Sequence, residues 1–138
     1  MKKLLTLLVT LLVTTTIYAQ DLRNASGSYI GSISTDGTIR NGSGSYRGEF
    51  SSDGTIRNAS GSYVGHIESD GTIRNGSGSY MGQVSDNGDV RNASGSYIGT
   101  ISNDGDVRDG SGSYIGSAKG ISKTQAACIF FFFDIETW

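Results

Sequence analysis

The chain has 138 residues, with 11 basic and 13 acidic side chains, 21 glycines, no proline and one cysteine. A formal charge of −2 without a basic run argues against a nucleic-acid partner. The absence of proline and of heptads excludes collagen-like, polyproline and coiled-coil architectures, and Cys128 alone cannot make an internal disulfide, so stability has to come from packing.

Residues 1–20 stand apart. Lys2 and Lys3 form a short cationic start, Leu4 to Val13 is apolar except for Thr6 and Thr10, and Thr14 to Thr16 lead into Ile17, Tyr18, Ala19 and Gln20. This pattern predicts a secretory signal peptide cut after Ala19 or Gln20, because the apolar run is shorter than the about 20 residues of a membrane-spanning helix. The expectation is an exported protein, periplasmic or extracellular, with no transmembrane span in the mature chain. Removing residues 1–19 takes two lysines and no acid, moving the formal charge from −2 to −4.

Residues 21–138 read as one small domain of repeats. Tyr29, Tyr46, Tyr63, Tyr80, Tyr97 and Tyr114 each follow the last by 17 positions, within the frame Arg-Asn-(Ala/Gly)-Ser-Gly-Ser-Tyr-x-Gly. So short a period defines units that contact their neighbours. In Tyr46-Arg-Gly-Glu-Phe50, strand alternation sets Tyr46, Gly48 and Phe50 on one face and Arg47 and Glu49 on the other. The position after the glycine carries Ser32, Glu49, His66, Gln83, Thr100 and Ser117, and the next carries Ile33, Phe50, Ile67, Val84, Ile101 and Ala118. The first set tolerates water and the second is apolar.

An Asp-Gly or Asn-Gly step then supplies a tight turn. Ile39, Ile56, Ile73, Val90 and Val107 return to the same interior, and Asn-(Ala/Gly)-Ser-Gly-Ser makes a second, longer turn. Each unit is a two-stranded hairpin, and the domain is expected to be nearly all β. Five hairpins run from Tyr29 to Arg108. A spare strand at Asp21-Leu22-Arg23 and another at Tyr114–Ala118 would complete a sixth and close a ring, removing the sheet edges. A β-solenoid with one coil per repeat is the alternative; the Asp-Gly turns favour hairpins around a central axis.

The tail, residues 126–135, breaks the repeat with Phe130 to Phe133. Four consecutive phenylalanines cannot all face one side of a strand, so the segment is expected as a hydrophobic last strand or plug across the open end of the ring. The unit Asp-Gly-Thr-Ile-Arg-Asn-(Ala/Gly)-Ser-Gly-Ser-Tyr-x-Gly, ending in Ala-Ala-x-Ile-Phe-Phe-Phe-Phe, resembles the β-flower repeat proteins, small exported proteins of Bacteroidetes-type bacteria. The resemblance spans about residues 21–135 and implies hairpin petals around an axis. It implies no activity. Six tyrosine units leave five petals with flanks, or six petals, both open.

Chemistry-bearing constellations are few. His66 occurs in one unit only and faces outward, the serines lack a general base, and the Gly-Ser loops lack the lysine and helix of a phosphate loop. Asp36, Asp53, Asp70, Asp86, Asp89, Asp104 and Asp106 belong to turns rather than to a calcium loop, which needs about six oxygens at set spacing. No metal or cofactor is expected. The candidate ligand-binding residues are two columns: Tyr29, Tyr46, Tyr63, Tyr80, Tyr97 and Tyr114, able to stack on sugars or to pack as wedges, and Arg40, Arg57, Arg74, Arg91 and Arg108. With Arg23, these arginines could ring an anion, pair with Asp, or stack on the tyrosines. The expected function is a non-enzymatic exported scaffold with a structural or protein-interaction role at the cell envelope. The alternative is a glycan-binding module using those columns.

Overall fold

The structure is a computed structural model that describes Thr10 and residues 18–138. The remainder of the expected signal peptide lies outside the described residues. The strands are β1 (Ala19–Asn24), β2 (Tyr29–Ser34), β3 (Thr38–Asn41), β4 (Tyr46–Phe50), β5 (Thr55–Asn58) and β6 (Tyr63–Ile67). They continue as β7 (Thr72–Asn75), β8 (Tyr80–Val84), β9 (Asp89–Asn92), β10 (Tyr97–Ile101), β11 (Asp106–Asp109) and β12 (Tyr114–Ser117). Each pairs antiparallel with its neighbours in sequence, and β1 pairs with β12, through Arg23 with Ser117 and Asn24 with Gly116. The twelve strands therefore form a closed barrel of six hairpins, the sixth assembled from the two ends of the repeat region.

The two faces sort as the repeat predicts except at two positions of the outward row, Ser32 and Ser117, which neighbouring chain covers to 4% and 7% exposure. Ile33, Phe50, Val84, Ile101 and Ala118, with Leu22, Ile39, Ile56, Ile73, Val90 and Val107, are at most 4% exposed. Ile67 is half-buried, and Glu49, His66, Gln83 and Thr100 lie on the outer wall, half-exposed. Successive hairpins are stitched at the Asp-Gly rim. The turn carbonyls of Gly37, Gly54, Gly71, Gly88 and Gly105 accept from the N–H groups of Phe50, Ile67, Val84, Ile101 and Ala118, at 2.8–3.0 Å. Gly37, at φ +90°, could not be replaced without conflict, since a Cβ there would stand 1.9 Å from the Phe50 carbonyl oxygen.

The tyrosines depart from the expected alternation. Between Tyr97 and Gly99 the register slips by one residue against β9, and the same slip recurs at Tyr29, Tyr46, Tyr63, Tyr80 and Tyr114. Such a β-bulge inserts one residue and re-aims its neighbours. The inserted Ile30, Val64, Met81, Ile98 and Ile115 pack against the core, while the tyrosines stay 36–43% exposed. They are surface residues, not interior wedges. The near-uniform apolar character of the inserted column was the sequence signal for the bulge.

The tail is also corrected: it is helical, not a strand. Helix α1 (Lys123–Ala127) runs into a π-helical turn, Cys128–Phe132, and a 3₁₀ turn, Ile135–Thr137, follows. Inward side chains alone plug a barrel of about eight strands; twelve leave an axial space. The tail fills it. Ser122 caps α1 by accepting from the Gln125 N–H, and the Lys123 ammonium donates to the Asp86 carbonyl (3.0 Å) and Asn103 Oδ1 (2.7 Å) on the Asp-Gly rim. Ala126, Ala127 and Cys128 are wholly buried, small enough to sit among the isoleucines.

Below them the phenylalanines radiate, one to a hairpin. A Cβ placed on Gly116, Gly99, Gly82 or Gly65 would meet the ring of Phe130, Phe131, Phe132 or Phe133, respectively, at 2.5–2.8 Å. Six hairpins around a circle stand about 60° apart, whereas an α-helix steps about 100° per residue; the wider i→i+5 winding of the π turn brings the step nearer the hairpin spacing. The rings thus occupy volume that the strand glycines leave empty. Trp138 closes this end, tilted against Phe133 with ring centroids 5.7 Å apart. Arg47, the one polar residue in the inserted column, donates to the Trp138 main-chain oxygen (3.2 Å) and lies 3.8 Å from Glu136.

Candidate functional site: the arginine–tyrosine belt

The Asn or Asp and the two serines of the longer turn each have a local task. In the first turn, Asn24 Oδ1 accepts from the Ser26 N–H (3.1 Å), the Ser26 hydroxyl (2.8 Å) and the Ser28 N–H (3.0 Å). Asn41, Asn58, Asn75 and Asn92 repeat these three bonds, and Asp109 makes them in the last turn with a carboxylate. The Ser111 hydroxyl and the Ser113 N–H hold the Asp109 carboxyl below its ordinary 3.8. The Asn-x-Ser triplets are turn chemistry first.

The arginine column is anchored to the same loops. Arg23, Arg40, Arg57, Arg74, Arg91 and Arg108 each donate from one guanidinium nitrogen to the carbonyl four residues on, that of Gly27, Gly44, Gly61, Gly78, Gly95 and Gly112, at 3.0–3.2 Å. Arg23 also pairs with Asp21, and Arg74 with Glu68. Across the bulges, Arg23, Arg40, Arg57, Arg74, Arg91 and Arg108 stand opposite Tyr29, Tyr46, Tyr63, Tyr80, Tyr97 and Tyr114. The two columns therefore merge into one belt that alternates cation and aromatic ring around the barrel. Arg108 lies over the Tyr114 ring, 5.9 Å from its centroid.

The aspartates of the opposite rim serve their turns. Asp36, Asp53 and Asp70 accept from the N–H groups of Thr38, Thr55 and Thr72 at 2.9–3.0 Å, and these bonds hold each carboxyl below its ordinary range. The Ser102 hydroxyl does the same for Asp104. Among the described residues, no group of three or more His, Cys, Asp or Glu side chains is placed to hold a metal ion. His66 lies on the wall opposite Thr55 and Arg74. Burial pushes the Cys128 thiol far above its ordinary value. Grooves flank α1 on the Asp-Gly rim, one lined by Phe50, Asp53, Ile67, Glu68 and Gln125.

A closed ring of hairpin repeats with its axis filled by its own tail is a structural repeat scaffold. A family model described as 5-fold beta-flower protein matches residues 19–134, and the chain belongs to that family. In this chain the ring has six hairpins. No curated protein and no solved structure matches it. No helix among the described residues is long and apolar enough to cross a membrane.

Proposed function

We propose that the protein is an exported, non-catalytic scaffold that works at the cell envelope through its outer wall, in a structural or protein-interaction role. The observation that carries this reading is the filled axis. Ala126 to Cys128 and the four phenylalanine rings occupy the space in which a ring of this size would otherwise hold a ligand. What differs from hairpin to hairpin is the half-exposed outward row of Glu49, His66, Gln83 and Thr100, with buried Ser32 and Ser117 in the equivalent places, while the inward rows stay apolar. Variation on the wall over a constant core fits a surface that meets other molecules. The signal-like start of the chain supports export, and the serine hydroxyls that meet a carboxylate, Ser102 on Asp104 and Ser111 on Asp109, close their own turns.

The test expresses the full chain in a Gram-negative host and determines where it resides and where its N-terminus begins, by fractionation and intact mass. The expected product begins at Gln20 or Asp21 and resides outside the cytoplasm. A photo-crosslinking residue at position 83 should then trap an envelope protein. An uncut chain retained in the cytoplasm overturns the proposal.

A further inference from the structure

We propose that the arginine–tyrosine belt binds an acidic polysaccharide, one whose sugar rings carry carboxylates; this rests on the reading of the outer wall as the working surface. Charge is unevenly distributed. The molecule is acidic overall, yet Asp36, Asp53, Asp70, Asp86 and Asp104 lie on the Asp-Gly rim, and the acids within the belt are engaged: Asp21 by Arg23, Glu68 by Arg74, and Asp109 by its own turn. Among the described residues, Arg40, Arg57, Arg91 and Arg108 form no salt bridge, although Glu49 stands opposite Arg57. Each of these four is exposed, and the bond from one nitrogen to its loop carbonyl fixes the guanidinium. A side chain held this way loses little further freedom on meeting an anion, and its remaining N–H groups match a carboxylate. Arg40, Arg91 and Arg108, which face Ser32, Gln83 and Thr100 rather than an acid, thus give the belt positions that complement an anionic ligand.

The tyrosines specify what kind of anion. All six are 36–43% exposed, and no hydrogen bond among the described residues engages their hydroxyls. An aromatic face with a polar edge suits the C–H face of a pyranose, whose hydroxyls the tyrosine hydroxyl and the loop serines can reach. Equivalent positions recur every two strands, about 10 Å along the wall, which is the length of two linked sugar rings. A single arginine–tyrosine pair holds a sugar weakly, and a polymer touching several pairs gains by avidity. Single-stranded DNA also offers anions and bases that stack on aromatic rings, and it is therefore the control for sugar recognition.

Affinity electrophoresis of the purified chain through gels containing polygalacturonate, neutral dextran or single-stranded DNA tests the proposal. Polygalacturonate should retard the protein, and rising salt should weaken that retardation, while dextran has no effect and DNA little. Replacing Tyr63, Tyr80 and Tyr97 together by Ala should weaken retardation by about tenfold or more, with the cooperative melt retained. Gln83→Glu with Thr100→Glu provides a second variant that leaves the turns intact. It places acids opposite Arg91 and Arg108 and should also weaken binding several-fold. No retardation by polygalacturonate, equal retardation by DNA, or indifference to both variants overturns the proposal. An exported chain that ignores polygalacturonate removes the ligand alone, whereas an unprocessed cytoplasmic chain removes the scaffold reading beneath it.

Discussion

Gly99→Ala probes whether each phenylalanine is seated by one hairpin. The glycine's backbone is extended, so any L-residue can adopt its conformation, and only space is at issue. An added Cβ would stand 2.4 Å from the Arg108 carbonyl oxygen and 2.5 and 2.7 Å from two carbons of the Phe131 ring. Ordinary carbon contacts are about 3.5–4.0 Å, so the overlap exceeds roughly 1 Å on two sides. The carbonyl belongs to a neighbouring strand of a closed barrel and cannot retreat alone. Overpacking of this kind costs about 1–3 kcal/mol, and the two-sided conflict points to the upper end, about 3 kcal/mol. In a domain of this size that lowers Tm by roughly 10–15 °C.

A double-mutant cycle separates the two conflicts. Phe131→Leu should relieve part of the Gly99→Ala penalty, with a coupling of about 1 kcal/mol, while Phe130→Leu should add independently. Chemical denaturation followed by circular dichroism measures the single and double variants of both cycles. A neutral Gly99→Ala, or equal coupling to Phe130 and Phe131, would refute the seating of one ring per hairpin.

Three further outcomes are expected. Asn58→Ala removes an acceptor of three bonds and should cost about 1–2 kcal/mol in denaturant titration, whereas Asn58→Asp should be nearly neutral because Asp109 already fills the equivalent place. Asp36, Asp53, Asp70, Asp104 and Asp109 all titrate lower folded than the 3.8 of the free carboxyl. Their contribution to stability is therefore present above that value and lost as pH falls below it, so the denaturation midpoint measured from pH 7 to pH 2 should drop only at the acid end, and less steeply in Asp53→Asn. Cys128, buried among the helix and strands with its thiol kept protonated, should react with maleimide no faster than the domain unfolds, and prompt labelling of folded protein would contradict its place on the axis.

Much of this architecture is local and can be read from the residues. The Asp-Gly and Asn-x-Ser-Gly-Ser turns are closed by side chains two to four positions away, so the sequence that forms them also announces them. The apolar rows Ile39 to Val107 and Ile33 to Ala118 define the inward face, and the spare strands at the two ends predict the closing pair of β1 and β12. The candidate belt was legible as two columns with a common period, though not as one belt, since the alternation rule set Tyr46 on the inward face with Phe50.

Tertiary structure decided the rest. Whether a strand carries a bulge depends on what the extra residue can pack against, and Ile98 or Met81 finds that contact only once the barrel has closed; the tyrosines turn outward as a consequence. The tail shows the same dependence. Four phenylalanines favour a strand by intrinsic preference, but the axial space of the barrel offers no strand to pair with, and a backbone there has to satisfy its own hydrogen bonds. A helical turn does so as far as Phe132, and with the extended Phe133 after it sends successive rings to successive hairpins. The glycines opposite Phe130 to Phe133 keep the room for those rings, a role that spacing along the chain cannot reveal because each pair meets only across the closed ring.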